Sequence, residues 1–278
     1  MATTEKFLSS ILNICINKRL LILTFIDNRS QIVPRTAIVQ TYLIFRINFL
    51  KNEIMLHKET VSKEMWELLQ RLMKDEILKD FNLVGGTSLS LQIGHRLSID
   101  IDLFSTKEFD EQALLKHLTG KHPTVKVRDI FSNTILLDIG EVKVDILAHQ
   151  YPLQKAFETK EGVRLVSLED IGAMKLHAIF QNGTRIKDFI DMHFLLEHNP
   201  LKIYLESYQN KYNGNPVMAS YALLYHDNID MDAKVNILKG KKVDMDTMSE
   251  RLKKAVNDPL LKFGERQESP KKSRGFRR

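Results

Sequence analysis

Apolar residues recur along this chain with two different periods, and the change of period divides it. From Met55 the steps are helical: Met65, Leu68, Leu69, Leu72, Met73 and Ile77 fall three and four apart, as on one helix face. From Phe81 the pattern shortens and alternates. It predicts strands over 83–84, 99–104, 125–127, 134–139 and 142–147, with a turn over 138–141. Residues 87–93 and 109–118 suit helices, the first capped by Thr87 or Ser88. After Tyr151-Pro152 one extended segment, 163–166, precedes helices over 168–180, 186–197, 201–212 and 216–226. Ser167 with Asp170 predicts a capping box for the first of these. The fold class expected is α+β, a small mixed-sheet core over 55–152 with a C-terminal helical lobe over 153–262. Residues 1–54 show no sustained period and are expected to be an N-terminal extension outside the functional domain.

Within the alternating part, residues 83–104 hold the chemistry. Gly85-Gly86 follows the apolar pair Leu83-Val84, and glycines there let the backbone approach a bulky anion. After thirteen intervening residues (87–99) comes Asp100-Ile-Asp102, flanked by Ile99 and Leu103. Two carboxylates at i and i+2 on a strand share a face, and burying both is costly unless a cation sits between them. Asp145 is a third acid on an apolar strand, and it converges on the first two if that strand pairs beside 99–104. Its other reading is an ion pair with Lys143 or Arg164. A hard-cation site beside a phosphate cradle is the chemistry of nucleotidyl transfer. Asp230/Asp232 and Asp244/Asp246 repeat the Asp-x-Asp spacing in polar stretches and read as solvated loop acids.

Composition narrows the setting. A single cysteine, Cys15, excludes an internal disulfide framework and fits a reducing, cytoplasmic location. No apolar run reaches the ~20 residues of a membrane span, so no membrane partner is expected. The net charge of +6 is carried by the ends: seven Lys/Arg against three Asp/Glu over 1–54, and six against two over 264–278. Residues 263–278 are therefore expected to be a basic disordered tail, either solvated or touching nucleic-acid phosphates. Trp66 reads as a core or helix–helix contact, and His95 and His177 as structural.

The string GGTSLSLQIGHRLSIDIDLF, with the later LEDIGAMKLHAIFQNGTRIKDFIDMHFLL, resembles the AbiEii/AbiGii toxin family within the DNA polymerase beta-type nucleotidyltransferase superfamily. The likeness covers about residues 57–200. It implies a transferase that moves NMP from an NTP to RNA, with tRNA favoured, or to a protein. It also implies the toxin role in an abortive-infection pair that defends against phage, with an antitoxin encoded nearby. Carried over by residue, Gly85, Gly86 and Thr87 would hold the triphosphate, and Asp100, Asp102 and Asp145 would bind Mg²⁺, as a two-metal site. Lys175 would neutralise the triphosphate, Arg185 and Lys187 would bind nucleotide, and Asp188 with Asp191 would complete the last motif, Asp188 in the catalytic set. Each has a plainer reading, Lys175 as a solvated helix residue and 185–188 as a surface ion-pair face. Arg96 either reaches phosphate or stays in solvent. Residue 87 is Thr where the superfamily often has Ser, and the hydroxyl is kept. The alternative of another class is a non-catalytic nucleotide- or metal-binding protein of the same fold.

Overall fold

Why the middle of the chain forms a sheet is visible in its alternation. In the computed structural model, which describes residues 55–238, 240 and 243–264, strand β2 (Asp100–Ser105) buries Ile101, Leu103 and Ser105 and turns Asp100, Asp102 and Phe104 to the other face. Strand β5 (Val142–Ala148) lies parallel to β2, with Asp102 opposite Asp145. The expectations for residues 1–54 and 265–278 lie outside the described residues. Strands β1 (Asn82–Leu83), β3 (Val125–Phe131), β4 (Thr134–Ile139), β6 (Glu158–Lys160) and β7 (Val163–Leu165) complete a mixed sheet in the order β3-β4-β5-β2-β1-β7-β6. β2/β5 and β1/β7 are parallel; the other neighbours are antiparallel.

The lower face of this sheet packs on helices α1 (Lys63–Met73) and α3 (Glu111–Lys121). Met65, Leu68, Leu69 and Leu72 meet Ile101, Leu103, Val144 and Ile146 there, with Leu114 and Leu118. Each fully buried side chain of this kind contributes about 1.5–3 kcal/mol. Ile77, expected on the same helix face, is 56% exposed, because α1 ends at Met73 and a short 3₁₀ turn follows, N-capped by Asp75. Trp66 is half-buried under the Lys58 ammonium, 5.0 Å from its ring, rather than fully in the core.

A second core lies among α4 (Leu168–Gln181), α5 (Ile186–Leu195), α6 (Leu201–Tyr212), α7 (Pro216–Ala222) and α8 (Met245–Asn257). The helix between the two cores, α2 (Gly85–Ile93), gives Leu91 to the first and Leu89 and Ile93 to the second. Helix α8 is absent from the sequence reading, because Asp244 was read as a loop acid. It is the N-cap, and its side chain accepts the Thr247 N–H in a capping box. Conversely, Ser167 caps α4 through the Asp170 N–H, but Asp170 does not complete a box. Its carboxylate instead accepts from the backbone of Gln154 and Lys155 and from Lys211 Nζ at 3.0 Å.

An aromatic cluster spans the sheet edge and α6. His149 bonds Tyr212 Oη at 3.0 Å, and His177 stacks on Tyr212 at 4.0 Å. Burial holds His149 down at about 4, as it does His193 on α5, against an ordinary value of 6.5. As pH falls, the unfolded chain takes up these protons near 6.5 and the folded chain only near 4. Stability is therefore complete above 6.5 and is lost between 6.5 and 4. Discounted for partial solvent access, the loss is about 1–2 kcal/mol per histidine. Asp102, raised to about 6, acts in the opposite sense by one group only. Urea unfolding of Asp102→Asn, which removes the opposing group, is expected to show a lower midpoint at pH 5 than at pH 7.5; equal midpoints would show that these rings are solvated.

Candidate active site

The turn between β1 and α2 is built for close approach. Gly85 sits at φ +68°, and a Cβ there would collide with Asp102 Oδ2; a Cβ on Gly86 would collide with Arg96 Nη2. The expected cap is not made. The helix begins at Gly85 with Val84 as its N-cap, and no side chain bonds the first-turn amides. Thr87 instead donates its hydroxyl to the Asp100 carbonyl and meets Ser98 Oγ at 2.8 Å. This buried bond fixes the turn to β2 and uses the hydroxyl that the resemblance assigns to phosphate. The amides of Gly86 and Thr87, which lack intrahelical acceptors, remain the groups that can meet an anion.

Asp100, Asp102 and Asp145 lie on one sheet face, in adjacent strands, as their spacing predicts. Burial raises the Asp102 carboxyl to about 6, with Asp145 and Asp100 adding like-charge repulsion. Among the described residues no hydrogen bond or ion pair falls on the Asp102 carboxylate, which lies against the Gly85 backbone. That arrangement fits a divalent cation on Asp100 and Asp102. Asp145 is already engaged: Arg128 Nη2 binds its Oδ1 and Lys143 Nζ lies 3.6 Å from its Oδ2. Consistent with this, no three His, Cys, Asp or Glu side chains converge as a metal cage among the described residues.

Of the two partners expected for Asp145 if it forms an ion pair, Lys143 is present. Arg164 is spent elsewhere, donating to the carbonyls of Met73, Leu78 and Phe81. Arg128 is the residue that sequence reasoning missed. It sits at the register shift between Val127 and Asp129, and that irregularity lets it reach Asp138 and Asp145. If it competes with a cation for Asp145, Arg128→Ala tightens Mn²⁺ binding several-fold in calorimetry without nucleotide. Unchanged or weaker binding would refute that competition.

The helical lobe supplies a second charged group. Lys175 Nζ donates to Asp188 Oδ1 at 2.6 Å and lies 2.8 Å from Asp191 Oδ2. Arg96 clamps Asp191 through Nε (2.7 Å) and Nη2 (3.0 Å), and His95 Nε2 bonds the same carboxylate at 2.8 Å. Lys175 and Arg96 are buried, so neither takes the solvated reading. Burial alone would lower Lys175, but Asp191 and Asp188 hold it above its ordinary value. Burial would raise Asp191, but Lys175, Arg96 and His95 hold it well below. Arg185, 68% exposed at the N-cap of α5, approaches Asp188 Oδ2 at 3.9 Å. Lys187 is half-buried on the same helix.

Known proteins are similar to this chain in sequence and in fold. The sequence model of the family described as "Nucleotidyl transferase AbiEii toxin, Type IV TA system" matches residues 67–213. An uncharacterised protein of Aquifex aeolicus is 32% identical over 140 residues, which is 49% of this chain and 67% of that protein. Among solved structures, JHP933 from Helicobacter pylori aligns with a TM-score of 0.46 at 20% identity, covering 72% of this chain and 93% of that one. The Megavirus polyadenylate synthase aligns at 0.37 and 19%, covering 71% of this chain and 41% of its own.

Proposed function

We propose, from the premise that this chain belongs to the AbiEii nucleotidyl transferase toxin family, that it transfers NMP from an NTP to an acceptor hydroxyl at the face formed by Asp100, Asp102 and Asp145. The observation that carries this reading is the half-buried Asp102 carboxylate against the Gly85 backbone, at the open N-terminus of α2, with no hydrogen-bond or ion-pair partner among the described residues. The triphosphate lies on the first-turn amides of Gly86 and Thr87, where the helix dipole favours an anion. Magnesium, held by Asp100 and Asp102, would neutralise charge at the α-phosphorus and lower the pKa of the attacking hydroxyl. Asp145 stands on the adjacent strand to join the metal site or to accept the hydroxyl proton. The acceptor oxygen forms a bond to the α-phosphorus as the bond to the β-phosphate oxygen breaks, and pyrophosphate leaves. Arg185, exposed at the rim, is placed to meet phosphate, while Lys175 acts from within the Asp188/Asp191 network.

The acceptor is RNA, with tRNA favoured, or a protein side chain; the setting is the cytoplasm, and the physiological role is the toxin of a phage-defence pair. Among the described residues no helix is long and apolar enough to cross a membrane. The test incubates the full chain with Mg²⁺, each α-³²P-labelled NTP separately and total bacterial RNA. Label entering RNA supports the RNA acceptor, and label on protein redirects it. NTP binding without any transfer would support the non-catalytic alternative.

A further inference from the structure

Helix α7 shows an apolar face to water. Ala219 and Leu223 fill its inner side within the second core. Its outer side carries Val217, Met218 and Tyr221. The stripe runs on through Leu224 and Tyr225, whose N–H groups donate to the carbonyls of Tyr221 and Ala222 as the helix tightens into a 3₁₀ turn. Steps of one, three, three and one place these five side chains on one face. Each is between 36% and 61% exposed. A surface helix ordinarily buries such a face and turns polar residues outward. Single exposed apolar residues need no explanation, but a contiguous face of them does.

The face is also empty of charge. No Asp, Glu, Lys or Arg occurs from Asn213 to His226. Lys211, just before, is buried against Asp170. The charges that follow are acids, Asp227, Asp230 and Asp232. This pattern argues against nucleic acid, whose phosphates are held by Lys and Arg. It argues equally against an anionic lipid surface, because helices that lie on one carry Lys and Arg along their polar side. Depletion of charge with enrichment of Tyr and Met is instead the composition of the core of a protein–protein interface.

We infer that α7 docks on α7 of a second copy of this chain, antiparallel across a two-fold axis at Tyr221. Tyr221 is the midpoint of the stripe from Val217 to Tyr225, so the antiparallel pairing sets each end of one stripe on the opposite end of the other. An uncharged face meets its own copy without like charges between them. The acids of the two copies fall at opposite ends of a stripe about 12 Å long and so do not face one another. The exposed fractions amount to about 500 Å² of apolar surface on each copy, the upper range for a monomer. An isologous contact covers both patches at once, about 1,000 Å² in all, which reaches the size of a stable interface. The inference is independent of the nucleotidyl-transfer reading.

The test is sedimentation equilibrium of the purified full chain as wild type, Tyr221→Asp, Met218→Lys and Ile77→Lys. Ile77 is an exposed apolar residue beyond α1 and serves as the control. Wild type and Ile77→Lys are expected to sediment as dimers. Tyr221→Asp and Met218→Lys each enter the interface twice and are expected to raise the dimer dissociation constant about a hundredfold or more. Both positions are exposed, so the Tm of each variant measured at a dilution where wild type is monomeric is expected to match wild type. Should Tyr221→Asp fail to fold, Met218→Lys carries the same comparison. A wild type that stays monomeric at about ten times the dissociation constant of a weak dimer, roughly 1 mM, would give the face to a different occupant and overturn the inference. A dimer that persists in both α7 variants, or that Ile77→Lys also breaks, would place the contact elsewhere and overturn it too.

Discussion

Replacing Asp102 with Asn is expected to abolish transfer while making the metal-free protein more stable. The two effects have one cause. A carboxyl raised from 3.8 to about 6 is ionised at pH 7 only at a cost to the fold, on the order of 2–3 kcal/mol. The sign follows from linkage: above pH 6 the unfolded chain holds this charge more easily than the folded one, so removing the charge relieves the folded state. Asparagine keeps the side-chain shape that lies against Gly85. The same substitution removes a charged oxygen ligand at the site of phosphoryl charge, which is expected to cost about a thousandfold or more in kcat. Differential scanning calorimetry in EDTA should show a higher Tm, and the labelled-NTP assay should show no product. The Asp100→Ala/Asp102→Ala pair is expected to fold and to be equally inactive. A folded variant that still transfers label would refute the site. A marked drop in Tm would make Asp102 a structural residue rather than a ligand held ready for a cation.

Much of this face was legible in the sequence, because strand periodicity alone settles which side chains share it. Asp100 and Asp102 are two apart, and the apolar flanks of Asp145 announce a strand of the same kind. That β5 pairs directly with β2 was a conditional expectation; the structure meets it and adds the register, Asp102 opposite Asp145. Arg128 was not legible, since its reach depends on an irregular register between β3 and β4 that no composition signals. The cap of α2 was misread because Thr87 and Ser88 are good capping residues in isolation. Tertiary contact with Asp100 and Ser98 won the Thr87 hydroxyl instead. The charged motif of α5 was seen as a helix face, but its inward orientation follows from Lys175 on the preceding helix and from Arg96, which is far from it in sequence.

That inward orientation sets the second large effect, the loss of Asp191. Its carboxylate is fully buried and accepts from Arg96, Lys175 and His95, three groups carried on the loop after α2 and on α4. Asp191→Ala leaves two buried cations facing Asp188 alone, and breaking a buried pair in this way costs about 3–5 kcal/mol. For a domain of this size the Tm is expected to fall by about 10 °C. The fall should be nearly the same at low and high salt, since buried pairs are weakly screened. Replacing Asp191, Arg96 and Lys175 together with apolar residues of similar volume should restore much of the loss, because the penalty comes from uncompensated charge rather than from missing attraction. The restored protein should nevertheless bind triphosphate poorly. Arg96 Nη2 lies against Gly86, so the network also braces the first turn of α2 at the phosphate cradle. Stability recovered without triphosphate affinity would assign the network to positioning that cradle. Recovery of both would reduce it to a structural tie, and a Tm change of only a degree or two in the single variant would show that the cations had found water.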